Sequence, residues 1–255
     1  MPEPIKLKLK LKLLEVFSSV QGEGVLLGCR QIFVRLAGCN LRCRYCDTAS
    51  SQGAANHCAK IEATPGRLDF RQAPPEVTVD FLAEEINKLL HWPHHSVSLT
   101  GGEPLCQARA LKLLAPLINA PLYLETNGTL PEALEMIIDD LSYISMDFKL
   151  PSANARGENY WREHALFLEK ALRQKKKIFI KIVITGDTQL TEIEKAVEII
   201  ASLEKKTPLI LQPATPLGSL RPVSFHLVSP FFEYALEKLP EVRVIPQMHK
   251  FMGII

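Results

Sequence analysis

Apolar and polar positions change period along this chain. From Ile5 to Leu13 apolar residues alternate strictly with lysine, the pattern of a strand with one buried face. A period of two would put lysine on every side of a helix, so a membrane-surface helix does not fit. Gln21-Gly22-Glu23-Gly24 reads as a turn and Gln31–Leu36 as a buried strand. The stretch 50–75 has no regular period and carries Gly53, Pro65, Gly66, Pro74 and Pro75, so it reads as a long loop or insertion. After it, helical and strand periods alternate. Helix Val79–Leu90 leads to strand Ser96–Leu99, Ala108–Ile118 to Leu122–Glu125, and Pro131–Ile138 to Tyr143–Phe148. Trp161–Arg173 leads to Ile178–Ile184, Thr191–Leu203 to Leu209–Gln212, and Pro230–Leu239 to Val242–Ile245.

Such alternation predicts βαβ units, a mostly parallel sheet and an α/β fold wound by right-handed crossovers into an open or closed barrel. Sites in these sheets form at the carboxyl ends of the strands. The polar motifs Thr100-Gly101-Gly102-Glu103, Thr126-Asn127-Gly128, Lys149 and Gln212-Pro213 all follow predicted strands. The 255 residues read as a single domain, with residues 1–30 an N-terminal strand and turn and residues 50–76 the insertion.

Composition adds exclusions. Hydrophobic residues make up 47% of the chain, enough for a sizeable core. With 30 basic and 28 acidic side chains the net charge is +2, which gives no electrostatic case for nucleic acid. No stretch reaches the ~20 apolar residues of a membrane span, and the Lys/Leu start has no continuous apolar region of a signal peptide. A cytoplasmic location is expected, where six reduced cysteines point to metal or catalysis rather than disulfides.

Cys39, Cys43 and Cys46 have the spacing C-x3-C-x2-C directly after a predicted strand. Three thiolates this close can hold three corners of a [4Fe–4S] cubane and leave one iron open. The amino and carboxylate groups of S-adenosylmethionine (SAM) can chelate such an iron. A zinc site completed by Cys58 or His57 is the competing reading. Cys29, Cys58 and Cys106 stand alone and read as ordinary thiols.

The run Cys39-Asn40-Leu41-Arg42-Cys43-Arg44-Tyr45-Cys46 resembles the signature of the radical SAM superfamily, and Thr100-Gly101-Gly102-Glu103-Pro104 resembles its glycine-rich motif. Further stretches narrow the resemblance to the 7-carboxy-7-deazaguanine synthase family. They are Glu15–Gly24, Phe33–Leu41, Cys46-Asp47-Thr48, Leu124–Gly128 and Pro246-Gln247-Met248-His249-Lys250. The resemblance runs in order over nearly the whole chain, with the insertion and the Lys/Leu start as its gaps.

The resemblance implies a partial (β/α)6 barrel, one [4Fe–4S] cluster, SAM and Mg²⁺. It also implies a homodimer, a flavodoxin- or ferredoxin-type electron donor, and a small pterin as substrate. The reaction implied is conversion of 6-carboxy-5,6,7,8-tetrahydropterin to 7-carboxy-7-deazaguanine, with ring contraction and loss of ammonia, on the route to queuosine.

Roles are implied position by position. Cys39, Cys43 and Cys46 match the cluster ligands and Thr48 the Mg²⁺ ligand. Val20, Gln21, Gly22, Glu23, Thr100, Glu125, Gln247 and His249 match the substrate region, and Arg35 the arginine that faces the substrate carboxylate. The bare sequence supports Arg35 independently, because an arginine inside an apolar run needs a partner. Tyr45, Cys46, Asp47, Gly102, Gln212, Pro213, Ala214 and Thr215 match SAM-contacting stretches. Asp147, Phe148 and Lys149 align with another such stretch, although that family stretch reads Ser-Pro-Lys. A glycyl-radical activating protein shares the cysteine spacing but does not predict Gln21–Gly24 or Arg35. A non-catalytic iron–sulfur or zinc protein predicts no SAM cleavage.

Overall fold

A computed structural model describes residues 9–52, 57–216 and 222–254. The start of the Ile5–Leu13 strand and Gly53 of the insertion lie outside these. Among the described residues, eleven strands and seven α-helices follow in the order β1 (Lys10–Val20), β2 (Arg30–Leu36), β3 (Ala59–Glu62), β4 (Phe70–Ala73), β5 (Glu76–Thr78), α1 (Val79–Leu89), β6 (Ser96–Gly101), α2 (Ala108–Leu114), β7 (Leu122–Thr126), α3 (Pro131–Ile137), β8 (Leu141–Asp147), α4 (Trp161–Arg173), β9 (Lys177–Ile184), α5 (Leu190–Leu203), β10 (Leu209–Pro213), α6 (Phe225–Lys238), β11 (Val242–Val244) and α7 (Met248–Met252). Among the described residues the strands form one sheet in the order β11-β10-β9-β8-β7-β6-β2-β1-β3-β4, with β5 on β1. The ends do not meet, so the expected barrel is partial. The ladder is parallel from β2 through β6 to β11, while β1 runs antiparallel to β2.

Local chemistry sets the helix ends. The Thr78 hydroxyl accepts from the Phe81 N–H at the start of α1, and Gln189 and Glu192 form a capping box at the start of α5. Each parallel strand alternates. Val97, Leu99, Leu124, Ile144, Ile180, Ile182 and Leu211 face the helices and are buried in the main core. Tyr123, Phe179 and Ile210 face inward and form a second apolar layer beneath the cavity described below. Gly24 lies under this layer at φ +66°, where a Cβ would sit 2.4 Å from the Phe179 ring.

Several elements differ from expectation: α2 ends at Leu114 rather than Ile118, α7 forms over the C-terminal motif where no helix was expected, and two further differences have a clear physical cause. The supposed loop at 50–75 contains the hairpin β3–β4, which extends the sheet beyond β1. Four-residue strands are too short to display a period, and pairing with β1 supplies the backbone hydrogen bonds. Glu62 pins the hairpin down by accepting from the Ser18 N–H (2.7 Å) and the Leu68 N–H (2.8 Å). Helix α6 begins at Phe225 rather than Pro230 and keeps Pro230 inside it. The bond this proline forgoes is to the carbonyl of exposed His226, which solvent can satisfy. No helix of the described residues is long and apolar enough to cross a membrane.

Ile61 of β3 is fully buried in the main core. Ile61→Ala should therefore lower unfolding free energy by about 2–5 kcal/mol. Thermal or denaturant unfolding checks this, and the under ~0.5 kcal/mol typical of a surface loop would contradict it.

Candidate functional site

A cavity of about 650 Å³ opens at the carboxyl ends of the parallel strands. Its walls are the inward positions of the alternating strands, including Phe33 and Arg35 of β2, Thr100 of β6, Glu125 of β7, Ser145 and Asp147 of β8, and Lys181 and Val183 of β9. The three motif cysteines line the same cavity. Burial pushes the Cys39 and Cys43 thiols above their ordinary range, so iron binding must displace protons from them.

Close backbone contact holds the cysteine loop against the glycine-rich motif. The Glu103 N–H donates to the Gly38 carbonyl (2.8 Å) and the Gly102 N–H to that of Leu36 (3.0 Å). A Cβ on Gly102 would lie 2.1 Å from the Gly38 oxygen, so only glycine fits. The fully buried Glu103 side chain accepts from the Leu105 N–H, the Thr126 hydroxyl and the Asn127 N–H at 2.7–3.0 Å. Desolvation raises its carboxyl to about 7 despite those donors. Asn127 in turn donates to Asn40 of the cysteine loop (2.8 Å).

The opposite part of the cavity carries paired polar groups. Arg35 Nε meets Glu15 Oε1 at 2.6 Å. A β-bulge between Leu13 and Glu15 makes this possible: Leu13 pairs with Leu36 on the core side, yet Glu15 pairs with Arg35 on the cavity side. Glu125 accepts from Gln21 Nε2 (2.8 Å), the Ser98 hydroxyl (3.1 Å) and the Thr100 hydroxyl (2.9 Å). Glu23 is ion-paired with Lys181 and accepts from Gln247 Nε2 at 2.9 Å. Burial alone would raise the Glu23 carboxyl, but Lys181, Gln247 and His249 together bring it below its ordinary value. Lys149 Nζ donates to Asp147 Oδ2 (2.6 Å) and Tyr45 OH (3.0 Å), and Lys181 Nζ lies 3.6 Å from the same Asp147 oxygen.

The C-terminal segment ties these parts together. The Met248 N–H donates to the Gly22 carbonyl (3.0 Å), and Gln247 Nε2 also reaches Asp47 Oδ2 at 3.0 Å. Lys250 pairs with Asp47 at 2.9 Å, and the Thr48 hydroxyl donates to Asp47 Oδ1 at 3.1 Å. Opposed by burial, the Lys250 hydrogen bond and charge nevertheless hold the Asp47 carboxyl at about 2.

Of the residues singled out from sequence, Val20, Gln21, Gly22, Glu23, Arg35, Cys39, Cys43, Tyr45, Cys46, Asp47, Thr48, Thr100, Gly102, Glu125, Asp147, Lys149, Gln212, Ala214, Thr215, Gln247 and His249 line the cavity. Phe148 and Pro213 do not: Phe148 is fully buried on the helix side, its ring 4.1 Å from that of His164. Lys181 and Glu15 line the cavity and were missed. Lys181 was detectable, since it is a lone lysine in the apolar run Ile178–Ile184, the same signal that singled out Arg35.

The residues fit the implied cluster and SAM. Among the described residues no three of His, Cys, Asp and Glu converge closely enough to hold one metal ion. A single zinc with Zn–S of about 2.3 Å needs such convergence, whereas a cubane spreads its thiolates over separate irons. Cys58 and His57, candidates for a fourth zinc ligand, are exposed and do not line the cavity. Asp147 Oδ1 and Gln212 Oε1 are buried without a hydrogen-bond partner, and both residues line the cavity. Such orphaned acceptors suit a ligand that brings N–H or O–H donors.

His164 lies beneath Lys149, fully buried, and burial lowers its imidazole to about 3. The unfolded chain takes up this proton near its ordinary 6.5, and the folded protein only near 3. Stability should therefore fall as pH drops from 6.5 toward 3. His164→Phe should flatten that slope by up to one proton in apoprotein denaturant titrations; an unchanged slope would contradict it.

Comparison with known proteins agrees with this geometry. Residues 34–200 match the radical SAM superfamily. The chain is 44% identical to the 7-carboxy-7-deazaguanine synthase of Geobacter sulfurreducens, over 94% of this chain and 96% of that one. It is 34% identical to the protein of the same name from Methanopyrus kandleri, over 96% and 94%. The crystal structure of QueE from Escherichia coli superposes with a TM-score of 0.60 at 22% identity, covering 94% of this chain and 95% of that one, a likeness of fold. The chain is thus a radical SAM protein with the [4Fe–4S] cluster and SAM that superfamily implies, and it belongs to the 7-carboxy-7-deazaguanine synthase family.

Proposed function

We propose that this chain converts 6-carboxy-5,6,7,8-tetrahydropterin to 7-carboxy-7-deazaguanine, with ring contraction and release of ammonia. The observation that carries the reading is one cavity lined both by the three motif cysteines and by Gln21, Glu23, Arg35 and Glu125. A glycyl-radical activating protein must admit a polypeptide and has no need of that second set.

In this reading Cys39, Cys43 and Cys46 hold the cluster. Tyr45, Asp47, Gly102, Gln212, Ala214, Thr215 and the Asp147–Lys149 strand end surround SAM, with Phe148 and Pro213 contributing backbone only. When bound, the cluster and SAM supply one-electron chemistry that takes a hydrogen atom from substrate carbon, fed by an electron donor of flavodoxin or ferredoxin type. The protein's own part is placement and exclusion of water. Arg35 receives the substrate carboxylate through paired N–H donors, with Glu15 fixing its plane. Glu125, held by Gln21, Ser98 and Thr100, presents its remaining lone pairs to ring N–H groups, as does Glu23. Val20 and Gly22 shape the turn that carries Gln21 and Glu23, and Gln247 and His249 close over it. Thr48 offers a hard oxygen donor for Mg²⁺ beside the substrate carboxylate. The reading is completed by one domain acting as a homodimer.

Anaerobic reconstitution with iron and sulfide, followed by SAM, reductant and the carboxypterin, tests the function by product mass. The deazaguanine product is expected. Deoxyadenosine alone would point to a different substrate, and neither product to a non-catalytic protein. Arg35→Gln should raise KM for the pterin roughly 10- to 100-fold, the worth of hydrogen bonds to a charged group. Steady-state kinetics checks this, and an unchanged KM would remove Arg35 from carboxylate binding.

A further inference from the structure

We propose that Lys181 reads the C4 carbonyl oxygen of the pterin ring, making it a specificity-determining residue beside Glu23. The inference rests on the pterin reading above and adds a residue that reading does not use. A pterin presents three adjacent groups along one edge: the 2-amino group, N3–H and the C4 oxygen. A carboxylate can accept from the first two at once, which leaves the C4 oxygen needing a donor next to that carboxylate.

Lys181 is that donor by position. It projects inward from β9 between Phe179 and Val183 and lines the cavity. Its ammonium pairs with Glu23 Oε2 and lies 3.6 Å from Asp147 Oδ2, so of its three N–H bonds one remains for a ligand. The side chain is 13% exposed, and the two carboxylates hold the ammonium charged against the pull of burial. Among the described residues, Lys181 alone of the cavity's lysines and arginines is ion-paired with Glu23. Arg35 is tied to Glu15, Lys149 to Asp147 and Tyr45, and Lys250 to Asp47. Gln247 also touches Glu23, but it is shared with Asp47.

Charge pairing favours the same assignment. Glu23 and Asp147 pair with Lys181 and Lys149, so each of these four ions already has a partner before a ligand enters. A neutral heterocycle can take up the hydrogen-bonding positions there without leaving an ion unpaired.

The test compares two fluorescent ligands at equilibrium on the reconstituted protein with SAM: 6-carboxypterin and its 4-thio analogue. The analogue keeps the 2-amino and N3–H edge and weakens only the acceptor. The wild type should prefer the oxo form by about tenfold, and Lys181→Met should lose that preference and bind the oxo form roughly 10- to 100-fold more weakly. Equal weakening of both ligands with the preference intact would overturn the proposal, because Lys181 would then act only by holding Glu23. If Lys181→Met fails to fold, a crystal structure of the wild type with 6-carboxypterin decides. Lys181 Nζ within hydrogen-bond distance of the C4 oxygen supports the assignment, and a longer separation overturns it. Absence of the deazaguanine product from the carboxytetrahydropterin refutes the proposed function itself, an outcome distinct from the failure of Lys181.

Discussion

Charge pairing on the inner face of an open, partial barrel is the constraint on which the rest of this molecule depends. The inward strand positions carry Arg35, Glu125, Asp147 and Lys181, and Glu23 and Lys149 join them from adjoining turns. An isolated ion there would cost several kcal/mol in lost hydration. Each is instead matched: Arg35 with Glu15, Lys181 with Glu23 and Asp147, Lys149 with Asp147, and Glu125 with three hydrogen-bond donors. Pairing of this kind is geometrically demanding, so it fixes the relative placement of β1, β2, β8 and β9. The apolar layer of Tyr123, Phe179 and Ile210 beneath supports the polar one from below.

The cysteine loop depends on a second set of contacts that contains no charge pair. Glu103 binds three donors from the segments after β6 and β7, while its own N–H and that of Gly102 hold Gly38 and Leu36. Asn127 reaches across to Asn40, and Asn40 to Thr129 (2.8 Å). The glycine-rich motif, the Thr126-Asn127-Gly128 turn and the cysteine loop thus form one hydrogen-bonded unit. Three segments distant in sequence act as a rigid seat for the thiols, which positions a cluster better than a free loop would.

The α/β repeat was legible because most helices and strands between residues 79 and 213 are long enough to show their own period, whereas the three-residue β11 was read only from its place after a helix and the five-residue α7 was not read at all. Trp161–Arg173 is bounded identically in sequence and structure, and the other helices in this region differ mainly at their ends. The β3–β4 hairpin was not legible, since its strands are set by the free edge of β1 rather than by their own pattern. Motif residues at strand ends were found because their chemistry is unusual for their position. Glu15 was not, because a carboxylate near the end of a lysine-rich strand reads as an ordinary surface residue until the strand's partner is known. Phe148 shows the limit in the other direction: a motif position fixes the backbone, but strand parity decides which side the ring faces.

The bulge between Leu13 and Glu15 connects these lines of argument. Before it, Leu11 and Leu13 face the core and Lys10 and Lys12 face solvent, as the alternating sequence requires. Continued without interruption, that alternation would bury Glu15 against the helices and leave Arg35 without a carboxylate inside the cavity. One extra residue, Leu14, reverses the parity, so Glu15 and Phe17 turn inward against Arg35 and Phe33. A strand that begins as a plain half-exposed edge therefore ends as a wall of the cavity. The same residue-by-residue alternation that builds the core places the Arg35 guanidinium, already held in one plane by Glu15, where it can receive a carboxylate.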